Sequence, residues 1–161
     1  MTLTVVGWID VFTRREYADC LVQNLKYCQE KKGLQLYGYC IMSSHVHLIV
    51  AAETGLLANI LRDFKSYTAK QLLQLITNNP QESRREWLLF LFRHFAKNTP
   101  NTEHQFWQQH NHPIDLTSNT LIEQRLNYIH QNPVSAGIVN QPQDYLYSSA
   151  NPLSPLQILM F

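Results

Sequence analysis

The chain has 161 residues and a formal net charge of +1; 45% of its residues are hydrophobic and 16% are charged. This composition is typical of a globular protein with a real core; it argues against a disordered chain and disfavours a large, strongly basic surface. No apolar run approaches the roughly 18 residues of a membrane span, and the first residues lack the features of a signal peptide. We therefore expect a cytoplasmic protein with no membrane partner.

The three cysteines do not form a recognisable disulfide or zinc-binding pattern. Cys20, Cys28 and Cys40 are odd in number, and their spacings match no zinc-binding pattern. Free cysteine is among the residues most often buried in proteins. We therefore expect all three to be small core residues.

The first elements of the chain read as a strand followed by a helix. Residues 2–8 are rich in β-branched side chains, which favour a strand. In the segment that follows, Thr13 and Glu16 have the spacing of a capping box, which predicts the start of a helix. Gly33 follows two lysines and predicts its end.

A hairpin and a long helix come next. Residues 34–42 and 45–53 alternate between apolar and polar side chains, as two strands would. Only the two serines 43–44 separate them, which predicts a tight hairpin. Residues 55–76 then repeat apolar side chains at helical spacing, which predicts a long amphipathic helix.

The second half of the chain is mostly helical. Residues 84–98 predict an unusually apolar helix, and the irregular stretch after it contains one or two short strands around Phe106 and Ile114. A last clear helix covers residues 117–131. Pro133 is expected to end it, because proline lacks the backbone N–H that a helix needs.

The order of these elements is typical of an α+β protein. Strand, helix, strand, strand, helix, helix, short strand and helix fit a ferredoxin-like antiparallel sheet with helices packed on one face. We expect a single domain over residues 1–161. Its core would cover about residues 1–139, and the tail of residues 140–161 would pack as loop.

Two histidines stand close together in the stretch "MSSHVHLIV", residues 42–50. A period of two residues places His45 and His47 on one face of the strand and leaves Val46 and Leu48 for the core on the other. The imidazoles would be about 6.6 Å apart along the strand, at a rise of about 3.3 Å per residue. Two neutral imidazoles can share one divalent ion, but a pair of strand histidines that binds nothing fits the same pattern.

The stretch "RLNYIHQNPVSAG" offers a nucleophile and a further ligand. Tyr128 and Asn132 are four residues apart, so they lie one above the other on a helix, beside its apolar stripe. A tyrosine oxygen can form a covalent intermediate, and an asparagine carbonyl suits Mg²⁺ or Mn²⁺. A tyrosine that only packs would fit the same position, so the spacing alone leaves the role of Tyr128 open.

Together the two stretches resemble the single-tyrosine HUH transposases, in particular their REP-associated and insertion-sequence types. HUH denotes a histidine, a bulky hydrophobic residue and a histidine, which residues 45–47 satisfy. The later motif of the family is Tyr, three residues, Asn, Pro, Val and a turn of small residues with Gly, which residues 128–137 match. The motifs stand about 80 residues apart in the order of the family, and the resemblance extends to about residue 139.

The resemblance implies a DNA transposase or nickase that acts on single-stranded hairpin DNA. It implies that His45, His47 and Asn132 bind Mg²⁺ or Mn²⁺, which polarises the scissile phosphate. Tyr128 would attack that phosphate and leave a 5′-phosphotyrosine link and a free 3′ hydroxyl. A bacterial cytoplasmic location follows from the family. Its members act as monomers or as dimers, so a homodimer is one of two open states, with the tyrosine acting in cis or in trans.

DNA binding requires contacts beyond the site of cleavage. We expect them from a partial basic stripe on the long helix and from aromatic and amide side chains that can stack on bases or line the cleft. The candidates are Arg62, Lys65, Lys70, Phe106, Trp107 and Gln108. A solvated helix face and core packing of the two rings are the alternatives.

Other functions fit the sequence less well. A protein of the same fold that binds a DNA hairpin without strand transfer is the main alternative. A histidine-triad nucleotide hydrolase would need a third histidine at position 49, where the chain has Ile49. A metallo-β-lactamase-like site would need an Asp-His pair soon after His47, which is absent. The hairpin, the target sequence, the native metal and the activity of this copy stay undetermined by the sequence.

Overall fold

A computed structural model describes residues 1–97 and 102–161. The strands are β1 (Thr2–Thr4), β2 (Leu34–Ile41) and β3 (His45–Ala52). The helices are α1 (Arg15–Lys32), α2 (Leu57–Asn78), α3 (Arg85–Ala96) and α4 (Asn119–Ser135). Residue 98, the last of the predicted third helix, lies outside the described residues. In the described ranges, no helix is both long enough and apolar enough to cross a membrane.

The strands form one antiparallel sheet in the order β1-β3-β2. β3 is central: His47 pairs with Thr2 on one side and with Cys40 on the other. The predicted hairpin is confirmed, since the N–H of Met42 donates to the carbonyl of His45 at 2.8 Å. The antiparallel α+β arrangement that the sequence predicts is therefore present, with the histidine pair on its middle strand.

A short segment extends the sheet beyond β1. The N–H of Val6 donates to the carbonyl of Phe106 at 2.9 Å, and the N–H of Gln108 donates to that of Thr4 at 2.8 Å. This segment occupies the position of a fourth strand, as the β-α-β-β-α-β motif requires. It corresponds to the short strand predicted around Phe106, whereas Ile114 belongs to no strand.

Helices cover both faces of the sheet. α1 and α2 pack on the face that carries Leu48, where Leu21 and Phe64 belong to the main core. α4 packs on the opposite face, where Ile129 forms a smaller cluster with Ile49 and neighbouring side chains. The prediction of helices packed on one face describes α1 and α2, whereas α4 lies on the other face, which carries the histidine pair.

β1 is shorter than the predicted strand of residues 2–8. The chain turns at Gly7 and Trp8, whose φ angles are both positive, at 60° and 55°. The N–H of Ile9 donates to the carbonyl of Val6 at 3.3 Å and closes this turn. β-Branched composition predicted the strand, but the glycine inside the run marks the turn that ends it.

The two ends of α1 differ in how well the sequence predicted them. The capping box is wrong: the cap residue is Arg14, without a side-chain cap, and the Thr13 hydroxyl donates instead to the carbonyl of Asp10 at 3.2 Å. Gly33 ends the helix as predicted. It has a left-handed φ of 68°, and its N–H donates to the carbonyl of Cys28.

α4 begins at a true cap and continues through a proline. The Ser118 hydroxyl accepts from the N–H of Leu121 at 3.3 Å. The prediction that Pro133 ends the helix is wrong, because α4 runs two residues further, to Ser135. Proline removes one backbone donor, and so close to the end of the helix that loss affects only the last turn.

The tail packs along the outer edge of β2. The N–H of Ser149 donates to the carbonyl of Tyr39 at 2.9 Å, and the N–H of Ile41 donates to that of Tyr147 at 2.8 Å. Further on, the N–H of Leu159 donates to the carbonyl of Leu36 at 2.9 Å. The tail therefore supplies partners to backbone groups that an edge strand would otherwise expose.

The cysteines are core residues, as predicted. All three are free and buried. Burial raises the pKa of the Cys20 and Cys28 thiols to about 11 and that of Cys40 to about 12. Such thiols stay protonated at neutral pH and are poor nucleophiles and metal ligands.

Candidate active site

The two histidines of β3 converge on one point. They lie on the face of the sheet that α4 covers, as the period of two residues predicts. The Nε2 atoms of His45 and His47 are 3.1 Å apart, and the two rings meet edge to face with their centroids 4.7 Å apart. Both side chains therefore direct the same nitrogen into a shared space.

Hydroxyl groups hold the other nitrogen of each ring. Ser44 Oγ lies 3.1 Å from Nδ1 of His45, and Thr2 Oγ1 lies 3.0 Å from Nδ1 of His47. When a hydroxyl accepts a hydrogen bond from Nδ1–H, the lone pair of Nε2 is left for a ligand. Such partners fix the orientation of metal-binding histidines in many proteins.

Both imidazoles favour the neutral form. Burial, and after it the positive charges of His45 and the chain's amino group, lower the pKa of His47 to about 4, against a side-chain hydrogen bond with Asn132 that raises it. Burial also lowers the pKa of His45. The pair is therefore uncharged at neutral pH, which is the form that binds a metal ion.

α4 brings the tyrosine and the asparagine to the same place. The ring of Tyr128 lies edge to face with the ring of His47, with centroids 5.9 Å apart. Tyr128 is 55% exposed, so a substrate can reach it. Asn132 is half-buried, forms a side-chain hydrogen bond with His47 and donates its Nδ2 to the carbonyl of Tyr128 at 2.8 Å. The fold thus brings the four predicted site residues, His45, His47, Tyr128 and Asn132, together in one place.

The donor set fits a divalent ion. Two imidazole nitrogens about 2.1 Å from one ion, at right angles, are about 3.0 Å apart, close to the 3.1 Å observed between the two Nε2 atoms. Among the described residues, no group of three or more His, Cys, Asp or Glu side chains could hold a metal ion. Asn132 is the predicted third ligand, and its amide oxygen is of a type that suits Mg²⁺ or Mn²⁺.

More than half of the chain matches a known protein family. Residues 9–94 match the family model described as "Transposase IS200 like". The chain belongs to the IS200-like transposase family. The match includes the histidine pair and ends before α4, so Tyr128 and Asn132 lie outside it. No curated protein matched the chain.

The fold of this family member is similar to that of a solved structure of a REP-associated tyrosine transposase bound to a REP hairpin. The TM-score is 0.59, the sequence identity is 14%, and the match covers 99% of this chain and 86% of that chain. At this identity the similarity concerns the fold. It extends over α4 and the tail as well as over the segment that matches the family.

Two side chains at the cleft were missed as site residues. Arg125 and His112 line a small cavity of about 70 Å³ next to His47 and Tyr128. Arg125 lies three residues before Tyr128, a helical spacing that places both on one face of α4 and could have identified it. No local pattern in the sequence identifies His112.

The predicted stacking of bases on Phe106 and Trp107 is corrected by their burial. Phe106 is 2% exposed and stacks on Phe92 with centroids 5.0 Å apart. Trp107 is 5% exposed, stacks on Phe12, and donates its indole N–H to Thr68 at 3.1 Å. Neither ring presents a face to a nucleotide, since both belong to the core.

The remaining DNA-binding candidates divide into exposed and tethered side chains. Lys65 donates to the carbonyl of Gln108 at 2.6 Å and to Asn111 at 2.7 Å, so its ammonium group holds the fourth sheet segment in place. Arg62 and Lys70 are exposed on α2, although Arg62 forms a surface ion pair with the neighbouring aspartate at 2.9 Å. Contacts of DNA with these two and with the half-buried Gln108 stay predictions.

Proposed function

We propose that this protein cleaves and rejoins single-stranded DNA through a covalent link to Tyr128. The observation that carries the proposal is the position of the Tyr128 ring, 5.9 Å from the ring of His47 in the same chain. This distance within one chain supports action of the nucleophile and the histidine pair in cis, without a residue from a second copy.

The chemical step exchanges one phosphodiester for another. The Tyr128 hydroxyl oxygen forms a bond to phosphorus while the bond from phosphorus to the 3′ oxygen breaks. The phenolic proton is released from the attacking oxygen, and the leaving 3′ oxygen takes up one proton to become a hydroxyl. Attack of a 3′ hydroxyl on the phosphotyrosine reverses the step, so joining needs no external source of energy.

His45, His47 and Asn132 would hold a divalent ion, Mg²⁺ or Mn²⁺, beside the tyrosine. When bound, such an ion supplies a Lewis acid for the phosphate and stabilises the charge that develops on its oxygens. The hydroxyls of Thr2 and Ser44, which contact the Nδ1 atoms, would keep the Nε2 atoms of both imidazoles free to bind such an ion. Arg125, at the rim of the same cavity, is placed to bind a phosphate oxygen.

A hairpin is the proposed form of the substrate. Support comes from membership of the IS200-like family and from the similar fold of a REP-associated tyrosine transposase that binds a REP hairpin. The net charge of only +1 means that binding cannot depend on a broad basic surface. Recognition would therefore depend on contacts with the folded shape of the DNA and with its unpaired strand.

The test is a denaturing gel of the protein with a labelled hairpin oligonucleotide carrying single-stranded flanks. A label at the 3′ end should move with the protein in Mg²⁺ or Mn²⁺ and not in EDTA, whereas a label at the 5′ end should never do so. Tyr128→Phe should abolish the covalent band. Tyr67→Phe is the matched control, because Tyr67 is 58% exposed on α2 and lies in a different groove.

Three results would contradict the proposal, each in a different way. A covalent band that persists in Tyr128→Phe would show that another residue is the nucleophile. Binding of the hairpin in a mobility shift with no covalent band in either metal would indicate a DNA-binding protein without strand transfer. A 5′ label that moves with the protein would reverse the proposed polarity of cleavage.

A further inference from the structure

An exposed tryptophan stands beside the histidine pair. The ring of Trp8 lies edge to face with the ring of His45, with centroids 5.2 Å apart, and the side chain is 60% exposed. Tryptophan is highly buried on average, because its large ring gains much from leaving water. The position of Trp8 at the edge of the candidate site is therefore not explained by packing of the core.

The backbone holds this ring outward. Gly7 and Trp8 both adopt left-handed φ angles, of 60° and 55°. Glycine does so freely, but a bulky residue in this region is an outlier. Strained residues of this kind cluster at sites that bind ligands. For Trp8 the strain is not offset by burial, which points to a role for the exposed ring.

Further exposed rings continue from Trp8 along α3. Phe95 packs directly on the neighbouring glycine, so closely that a Cβ at Gly7 would lie 2.6 Å from its ring. Phe95 contacts His94 with centroids 5.8 Å apart, and His94 stacks on Phe90 at 6.3 Å. We call Trp8, Phe95, His94 and Phe90 the aromatic track. All four side chains are exposed, and the track begins at the histidine pair.

A polar groove accompanies the aromatic track. It has a volume of about 500 Å³ and lies against Gly7 and Phe95, with Gln108 and His112 among its other lining residues. His112 also lines the small cavity at His47 and Tyr128, so the groove and the candidate active site share a wall. Amide and imidazole groups can form hydrogen bonds with phosphates and base edges.

The charge beside the aromatic track is mainly positive. Arg93 and Lys97 lie exposed at the C-terminal end of α3. Arg93 donates to His104 at 3.1 Å and lies 4.0 Å from the exposed carboxylate of Glu103, so its charge is partly compensated. Exposed rings interleaved with cations and amides are the chemistry by which proteins hold unpaired nucleic-acid strands.

We propose that the aromatic track binds the unpaired DNA strand that leads to or from the cleaved phosphate, with one base stacked on Trp8. This inference rests on the proposed function, because it names where the substrate strand lies. Stacking depends little on base identity, since every base has a π face. The aromatic track would therefore position any flanking sequence and leave sequence recognition to other contacts.

The experiment measures binding without cleavage. The probe is a fluorescein-labelled dT20 oligonucleotide, and its anisotropy is recorded during titration with the full chain in EDTA. Trp8→Ala should weaken binding about tenfold, the loss expected for one stacked base, and Trp8→Phe should stay within about threefold of wild type. Tyr27→Ala is the control, because Tyr27 is 53% exposed on α1 and lies outside the aromatic track.

The result can fail independently of the proposed function. Wild-type affinity in Trp8→Ala would overturn the aromatic track, and so would a wild-type protein that does not bind dT20. Tyr128→Phe should bind dT20 as the wild type does, because stacking on Trp8 does not need the nucleophile. Binding that requires Trp8, together with no covalent adduct in any metal, would retain the aromatic track and refute cleavage.

Discussion

The hydroxyl of Thr2 lies 3.0 Å from Nδ1 of His47, across the pairing of β1 with β3. Thr2→Val keeps the shape of the side chain and removes this partner. Partners of this kind typically contribute about tenfold or more to metal affinity. We therefore expect about tenfold weaker Mn²⁺ binding, measured by isothermal titration calorimetry. Thr77→Val is the control, since the Thr77 hydroxyl donates to the carbonyl of Leu73 in its own helix at 2.7 Å.

The result for Thr2→Val would show whether its hydrogen bond or the packing around the ring holds His47 in place. Unchanged Mn²⁺ affinity in Thr2→Val would show that packing alone holds the ring of His47. Weaker binding in Thr77→Val as well would indicate a general loss of stability instead.

A buried carboxylate joins the end of α2 to the start of α1 and α3. The side chain of Glu82 is fully buried; it accepts from Arg14 at 2.6 Å, from Arg84 at 3.3 Å and from the Tyr17 hydroxyl at 3.2 Å. Glu82→Gln leaves both arginines without their anion. Each arginine is about one-third exposed and can regain water, so we expect a loss of about 2 kcal/mol in the free energy of unfolding, measured in urea.

The neighbouring helix supplies a matched control for this change. Glu86→Gln alters a carboxylate that is 87% exposed. Exposed ion pairs contribute little, so its unfolding free energy should stay within about 0.5 kcal/mol of wild type. Equal effects of the two substitutions would contradict a structural role for Glu82.

The same carboxylate predicts a dependence of stability on pH. Burial by itself would raise the pKa of Glu82, but hydrogen bonds from Arg14 and the Arg84 N–H, with both positive charges, outweigh burial and lower it below the usual 4.5. The contribution of Glu82 is then complete above about pH 4.5 and is lost as the pH falls through the lowered pKa. Urea unfolding at pH 7 and at pH 3 should show the gap between wild type and Glu82→Gln shrinking at pH 3.

Close contact at Gly38 sets the distance between α4 and the sheet. A Cβ at this position would clash with Cδ1 of Leu126. Gly38→Ala should therefore push α4 outward, lower the unfolding free energy by about 1–3 kcal/mol and reduce formation of the covalent adduct. The double variant Gly38→Ala, Leu126→Ala should be less destabilised than the sum of the single changes, because the smaller side chain makes room.

Additive effects of these two substitutions would mean that Gly38 matters for another reason. The adduct assay adds a second criterion. Gly38→Ala that unfolds more easily but forms the adduct at the wild-type rate would show that small displacements of Tyr128 from the histidine pair are tolerated.

The histidine pair was predictable because strand periodicity is strict. A shift of one residue would exchange the two faces of β3 and bury His45 and His47 against α1 and α2. The apolar residues that alternate with them, Val46 and Leu48, therefore determine the side on which the imidazoles lie. In the same way, the spacing of four residues predicted that Tyr128 and Asn132 share one face of a helix. Their distance from the histidines could be learned only from the folded structure.

Long-range contacts account for most of what the sequence did not reveal. Whether Trp107 lies in the core or on the surface depends on Thr68, a partner 39 residues away. Lys65 has the spacing of a basic stripe, yet its ammonium group serves Gln108, 43 residues further along. The local sequence around an aromatic or basic residue is the same whether its side chain packs in the fold or faces a ligand. Contacts with residues far away in the sequence decide between these two roles.

The tail on β2 has a consequence for solubility. Backbone groups along an uncovered strand edge pair readily with other chains and start aggregation. The hydrogen bonds from Ser149 and Leu159 would be lost if the chain were cut after residue 139, and β2 would then offer such an edge. A chain shortened in this way should precipitate as it folds, so its last residues act as a guard against self-association as much as a source of stability.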